Sequence, residues 1–145
     1  MELRPLYVAE PPAAYRFRPP LVVDCSLLVS IHFNEDQRLQ AQQHLAGHAL
    51  HAPALLDHEM ANTALMKVHR GGLVEESSKA LQRYRLQEIE LHPTDPFGQF
   101  ELGQRYGLTA YDAAYLWLAA QLRAPLATFD RKLAEAAQQH LKTLE

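Results

Sequence analysis

A chain of 145 residues, 48% of them apolar and 21% charged, suits one domain with a real hydrophobic core and excludes an intrinsically disordered protein. The net charge of −3 excludes a protein that coats nucleic acid electrostatically, so any nucleic-acid contact is expected to be local. A single cysteine, Cys25, excludes an internal disulfide and a cysteine zinc cluster within one chain; with no bilayer-length apolar run and no signal-like start, the expectation is a cytoplasmic protein without a membrane partner.

Residues 1–20 carry Pro5, Pro11, Pro12, Pro19 and Pro20, interrupted by Tyr7, Tyr15 and Phe17, and are expected to form an extended arm ahead of a domain over 21–145. Leu21–Val23 reads as a short buried strand ending at Asp24. Helices are expected over Ser26–Phe33 and Asp36–Ala46, the second stopped by Gly47. Leu50–Ala52 reads as a strand, followed by a helix from Ala54 to Arg70 closed by Gly71 and Gly72. A further helix over Glu75–Arg85 leads to a strand at Glu88–Leu91. Pro96–Tyr106 is helical up to Gly107, and Thr109–Arg123, apolar nearly all round, reads as a central buried helix. Pro125–Thr128 is the last strand and Arg131–Leu141 the last helix. Short apolar strands separated by helices predict an α/β fold, a mainly parallel sheet with helices on both faces.

In open parallel sheets ligands bind beyond the carboxyl ends of the strands. Asp24 ends the first strand, Asp130 follows the last, Asp112 lies in the first turn of the buried helix, and Glu59 lies on the polar side of its helix with Asn62 and Thr63. Three of the acids have a ready structural explanation. Thr109 and Asp112 have the spacing of a capping box, Asp130 suits an N-cap, and a glutamate on a polar helix face is usually solvated. Asp24 resists such an explanation, because a buried strand end rarely keeps an acid without a partner. Agreement of all four on one sheet edge raises the joint reading. Close carboxylates repel, and a cation relieves them; hard oxygen donors without thiols favour Mg²⁺ or Mn²⁺ over zinc. Such an ion orients a water and stabilises charge on a phosphate oxygen.

Four segments carry a resemblance: Val22-Val23-Asp24-Cys25-Ser26, Ala52–Asn62 around Glu59, Leu108–Tyr115 around Asp112, and Leu126–Leu133 around Asp130. In this order and context they resemble the PIN-domain nucleases, especially the VapC-type toxins of bacterial toxin–antitoxin pairs, over roughly residues 21–141. The resemblance implies a PIN-like single domain, Mg²⁺- or Mn²⁺-dependent endoribonuclease activity on an RNA substrate, inhibition by a cognate antitoxin, and a homodimer. By position, Asp24 and Asp112 resemble the main metal ligands, Glu59 joins them directly or through water, and Asp130 holds a second metal or a metal-bound water. Ser26 and Thr128 resemble the hydroxyl residues that hydrogen-bond neighbouring acids, with a cap or turn role as the alternative. The proline-rich arm departs from the family, which usually begins almost at its first strand.

Other features carry less. Lys67, Arg70, Arg131 and Lys132 are candidates to hold RNA, though such side chains on helices are usually just solvated. His44 and His48 would share a helix face only if the helix passed through Gly47, and with His51 they make a weak metal reading. Cys25 and Trp117 read as core, as does Tyr115. Two other function classes stay open: a phosphatase with Asp24 as nucleophile, which normally carries a second aspartate where this chain has Ser26, and a non-catalytic PIN-like interaction module.

Overall fold

β1 (Pro20–Val23) is the strand around which the rest assembles: Leu21, Val22 and Val23 are fully buried, as a continuous apolar run covered on both faces requires. The structure is a computed structural model that describes Leu6, Tyr7, Ala9 and residues 18–144. Most of the expected arm over 1–20 therefore lies outside the described residues. Of its end, Pro19 accepts a hydrogen bond from Ala49 and Pro20 opens β1, the strand position where a missing N–H does least harm.

β2 (Ala49–Pro53) and β4 (Leu126–Ala127) pair with β1 on either side, and β3 (Ile89–His92) pairs with β2, giving a four-stranded parallel sheet in the order β3-β2-β1-β4. Seven described helices flank it: α1 (Cys25–His32), α2 (Arg38–Leu45), α3 (Leu55–His69), α4 (Val74–Leu86), α5 (Pro96–Tyr106), α6 (Ala110–Leu122) and α7 (Arg131–Leu141). The α/β expectation thus holds, with boundaries moved by one or two residues. The second helix starts at Arg38 rather than Asp36, because Asn34 takes a left-handed φ of 53° and a turn bonds Arg38 N–H to Glu35 O. The sixth stops at Leu122, because Arg123 is left-handed at φ 49°. None of the described helices is long and apolar enough to cross a membrane.

α6 is the central helix that its composition predicts. Ala113, Ala114, Tyr115, Leu116, Leu118 and Ala119 are all buried, and the helix packs against β1, β2 and β4. Its N-terminus is capped by Thr109, whose hydroxyl accepts from Asp112 N–H at 3.1 Å. α5 lies against it so closely that a Cβ on Gly98 would overlap Cδ1 and Nε1 of Trp117. This contact holds Trp117 in packing, as the apolar helix pattern suggests.

The strand order decides where a site can form. The chain runs from β1 to β2 to β3 in one direction and then returns to place β4 on the far side of β1. Connections diverge between β1 and β4, and in open parallel sheets ligands bind at such a reversal, beyond the carboxyl ends of the strands. Asp24 stands there. Gly98→Ala should lower the melting temperature by roughly 3–10 °C through overpacking against Trp117, read in a thermal melt beside Gly103→Ala, whose added Cβ meets the Leu108 carbonyl less severely.

Candidate functional site

Asp24 is only 6% exposed and occupies the N-cap position of α1, yet its side chain makes no capping bond. Instead Oδ2 accepts from Ser26 Oγ at 2.9 Å and from Thr128 Oγ1 at 2.7 Å. The two hydroxyls are held in turn: Ser26 Oγ accepts from Phe129 N–H at 3.0 Å and Thr128 Oγ1 from Asp130 N–H at 2.9 Å. A relay of four bonds thus ties the end of β1 to the loop after β4, across 104 residues of sequence. With both hydroxyls on Oδ2, Oδ1 is left for another ligand.

Glu59 sits on α3 within electrostatic reach of Asp24 and Asp112. It is half-buried, and Tyr115 donates its phenolic hydrogen to Oε1 at 2.6 Å. Burial pushes its carboxyl up to about 7, helped by the charges of Asp24 and Asp112 and opposed by the tyrosine bond. The polar helix face on which it was expected to be solvated is therefore partly enclosed. Asp112, also half-buried, is raised by burial first, then by the charges of Asp130 and Asp24, with Thr109 and Lys132 offsetting part of this. Asp130 is exposed and caps α7, accepting from Leu133 N–H at 2.9 Å. Its backbone joins the Thr128 relay, and its charge reaches Asp112.

All four sequence-predicted acids therefore gather at one sheet edge, in a chain of mutual repulsions running from Glu59 through Asp24 and Asp112 to Asp130. Asp130 also fulfils its plain reading as a helix cap. Tyr115 is the residue whose part in the site its packing role concealed: it stands one helical turn after Asp112 on the inward face, and its hydroxyl needs a partner where it is buried. The chemistry of the donor set suits a hard divalent cation, since all four acids offer oxygen and Glu59 and Asp112 are raised by burial and by their neighbours' charges.

The remaining candidates fall elsewhere. Lys67 pairs with Glu35 at 3.5 Å and lies over the Phe33 ring, and Arg131 pairs with Glu135. Lys132 acts on a candidate acid, Asp112. Cys25 directs its thiol to Met60 Sδ at 3.7 Å, and burial pushes it up to about 12, so it stays a neutral core thiol. Gly47 at φ 78° lies beyond the end of α2, and His44 and His48 stack without sharing that helix.

Comparison with known proteins decides the family. The PIN domain family model matches residues 21–139. This chain belongs to the PIN-domain family. Among its VapC-type relatives, ribonuclease VapC3 of Pyrobaculum aerophilum is 32% identical over 121 residues, covering 79% of this chain and 92% of the relative. Ribonuclease VapC9 of Mycobacterium tuberculosis is 34% identical over 121 residues, covering 81% of this chain and 91% of the relative. The crystal structure of PAE2754 from Pyrobaculum aerophilum superposes with a TM-score of 0.64 at 22% identity over 88% of this chain and 98% of that one, a likeness of fold.

The raised carboxyl of Glu59 has a measurable consequence in this PIN domain. The folded state holds that proton more tightly than an unfolded chain with the ordinary value of 4.5. Its contribution to stability is therefore greatest below about 4.5 and is lost as pH rises through about 7. In divalent-free buffer, the melting temperature of the native protein minus that of Glu59→Gln should fall between pH 5 and pH 7.5. A difference that stays flat or rises across this interval contradicts the crowded site.

Proposed function

We propose that this PIN domain is a metal-dependent ribonuclease, the toxin of a toxin–antitoxin pair, cleaving RNA phosphodiester bonds at the edge lined by Asp24, Glu59, Asp112 and Asp130. The observation that carries the reading is the Asp24 carboxylate, buried and fixed through one oxygen by Ser26 and Thr128, with Glu59 and Asp112 crowding it electrostatically. A protein gains nothing in stability from such crowding, so a cation is the natural complement. The names of the VapC relatives support the substrate class and the toxin assignment.

Asp24 and Asp112 would hold Mg²⁺ or Mn²⁺, Glu59 would join directly or through water, and Asp130 would hold a second metal or a metal-bound water. When bound, the ion acidifies a water and offsets charge on a phosphate oxygen. Ser26 and Thr128 keep Asp24 in one rotamer, so the ligand position is set before an ion arrives. Tyr115 does the same for Glu59 through one short bond. Lys132, beside Asp112, is the cation best positioned to meet a phosphate. With a net charge of −3 on the chain, RNA is gathered by the site and not by the whole molecule. A cognate antitoxin that covers this edge, a homodimer, and action in the cytoplasm belong to the same reading.

The test uses total RNA with purified full-length protein. Chelation should stop cleavage and added Mn²⁺ restore it. Asp24→Asn and Asp112→Asn should each lose more than the roughly 10–100-fold expected when only a ligand's hydrogen-bond partner is removed, and Ser26→Ala should lose an amount within that range. Expression of the native chain without antitoxin should arrest growth, while Asp24→Asn should not. Full cleavage by Asp24→Asn removes the carboxylate edge from the mechanism; cleavage without growth arrest removes the toxin assignment alone.

A further inference from the structure

Away from the acids, at the other side of the sheet, β2 and β3 bring together three side chains of a different chemistry. The register pairs His51 with Glu90 and Pro53 with His92, so strand alternation puts His51, Glu90 and His92 on one face. His51 Nδ1 lies 2.9 Å from His92 Nε2 and 3.5 Å from Glu90 Oε2. One donor atom from each residue lies within 4.8 Å of the other two, the one such three-residue grouping of histidine, cysteine or carboxylate among the described residues.

We propose that His51, Glu90 and His92 form a second metal site, for a zinc-class transition ion, independent of the carboxylate edge. Tetrahedral zinc with nitrogens at about 2.0–2.1 Å and a carboxylate oxygen at about 2.0–2.2 Å needs its donors about 3.3 Å apart. The two separations at His51 Nδ1 bracket that value, so small side-chain rotations suffice. Without an ion, the short nitrogen–nitrogen contact requires a hydrogen between the rings, one ring donating and the other accepting. Metal replaces that hydrogen when the donor ring moves it to its other nitrogen, so two neutral imidazoles bind without net loss of a proton. His51 is well covered, its side chain 14% exposed, whereas Glu90 is 68% exposed. The fourth position therefore opens toward solvent, for water or a ligand from outside.

Two imidazoles and one carboxylate favour Zn²⁺ over Mg²⁺, the opposite of the oxygen-only edge at Asp24. The two sites thus differ in donor chemistry. The zinc site also has a mechanical place in the fold: β3 is an edge strand, and the His92 carbonyl accepts from Ala54 N–H at 2.8 Å, at the start of the helix that carries Glu59. An ion bridging β2 and β3 clamps that edge strand to the sheet and braces the base of α3.

The test titrates Zn²⁺ and, as a spectroscopic probe, Co²⁺ into the full-length protein and its Asp24→Asn variant by calorimetry and visible absorption. Both should bind an ion with mixed nitrogen and oxygen ligation that excess Mg²⁺ does not displace, and Zn²⁺ should raise the melting temperature of each. His92→Gln and His51→Gln should each weaken Zn²⁺ binding at least tenfold and remove the Co²⁺ signature, with Glu90→Gln weakening it less. Melts without metal establish that each variant is folded; the exposed Glu90→Gln variant keeps the test open if a histidine variant is not. Zn²⁺ affinity unchanged in His92→Gln, or lost in His44→Gln or Asp24→Asn instead, overturns the proposal.

Discussion

The hydroxyl relay onto Asp24 is the interaction on which the site depends. A carboxylate at the end of a central strand is desolvated, and the chain compensates with two hydrogen bonds from side chains that are themselves held by backbone N–H groups. Because Ser26 follows β1 and Thr128 follows β4, the relay ties the two strand ends together at the reversal of strand order and makes the position of Asp24 a property of the whole sheet. Strand pairing and carboxylate position are thus one arrangement: Val23 pairs with Ala127, and the residues that follow each strand complete the relay.

Around that fixed point the fold concentrates negative charge. α6 supplies Asp112 from its exposed end and Tyr115 from its buried face, and α3 supplies Glu59 to meet them. Burial of α6 brings the tyrosine hydroxyl into a place where it needs an acceptor, and Glu59 provides one. The energy gained by packing α6 into the core is in this way coupled to the orientation of an acid that would otherwise turn to solvent. Burial, together with this crowding, raises the carboxyls of Glu59 and Asp112 and leaves the edge suited to a cation.

The strands, the helices and the positions of the four acids were legible in the sequence because they rest on short-range signals: apolar runs, glycine and proline stops, and acids next to strand ends. Asp24 was the most legible, since no local role accounts for a buried carboxylate. Glu59 was less so, because helix periodicity shows which face is polar but not whether a second helix covers it. Tyr115 read as packing for the same reason; its ring does pack, and only the tertiary approach of α3 gives its hydroxyl a partner. The His51, Glu90 and His92 grouping was not legible, since it depends on the register of two strands separated by nearly forty residues. Pattern reading of the histidines names His51 but groups it with His44 and His48, which sequence proximity joins and Gly47 separates, and not with Glu90 and His92.

The most direct measurement is a crystal structure of the native chain soaked with Mn²⁺, read by anomalous scattering. The account predicts an anomalous peak bonded to carboxylate oxygens of both Asp24 and Asp112, with Ser26 and Thr128 still on the other oxygen of Asp24. Anomalous density confined to other parts of the molecule, with the two carboxylates turned away from each other at full Mn²⁺ occupancy elsewhere, would contradict it.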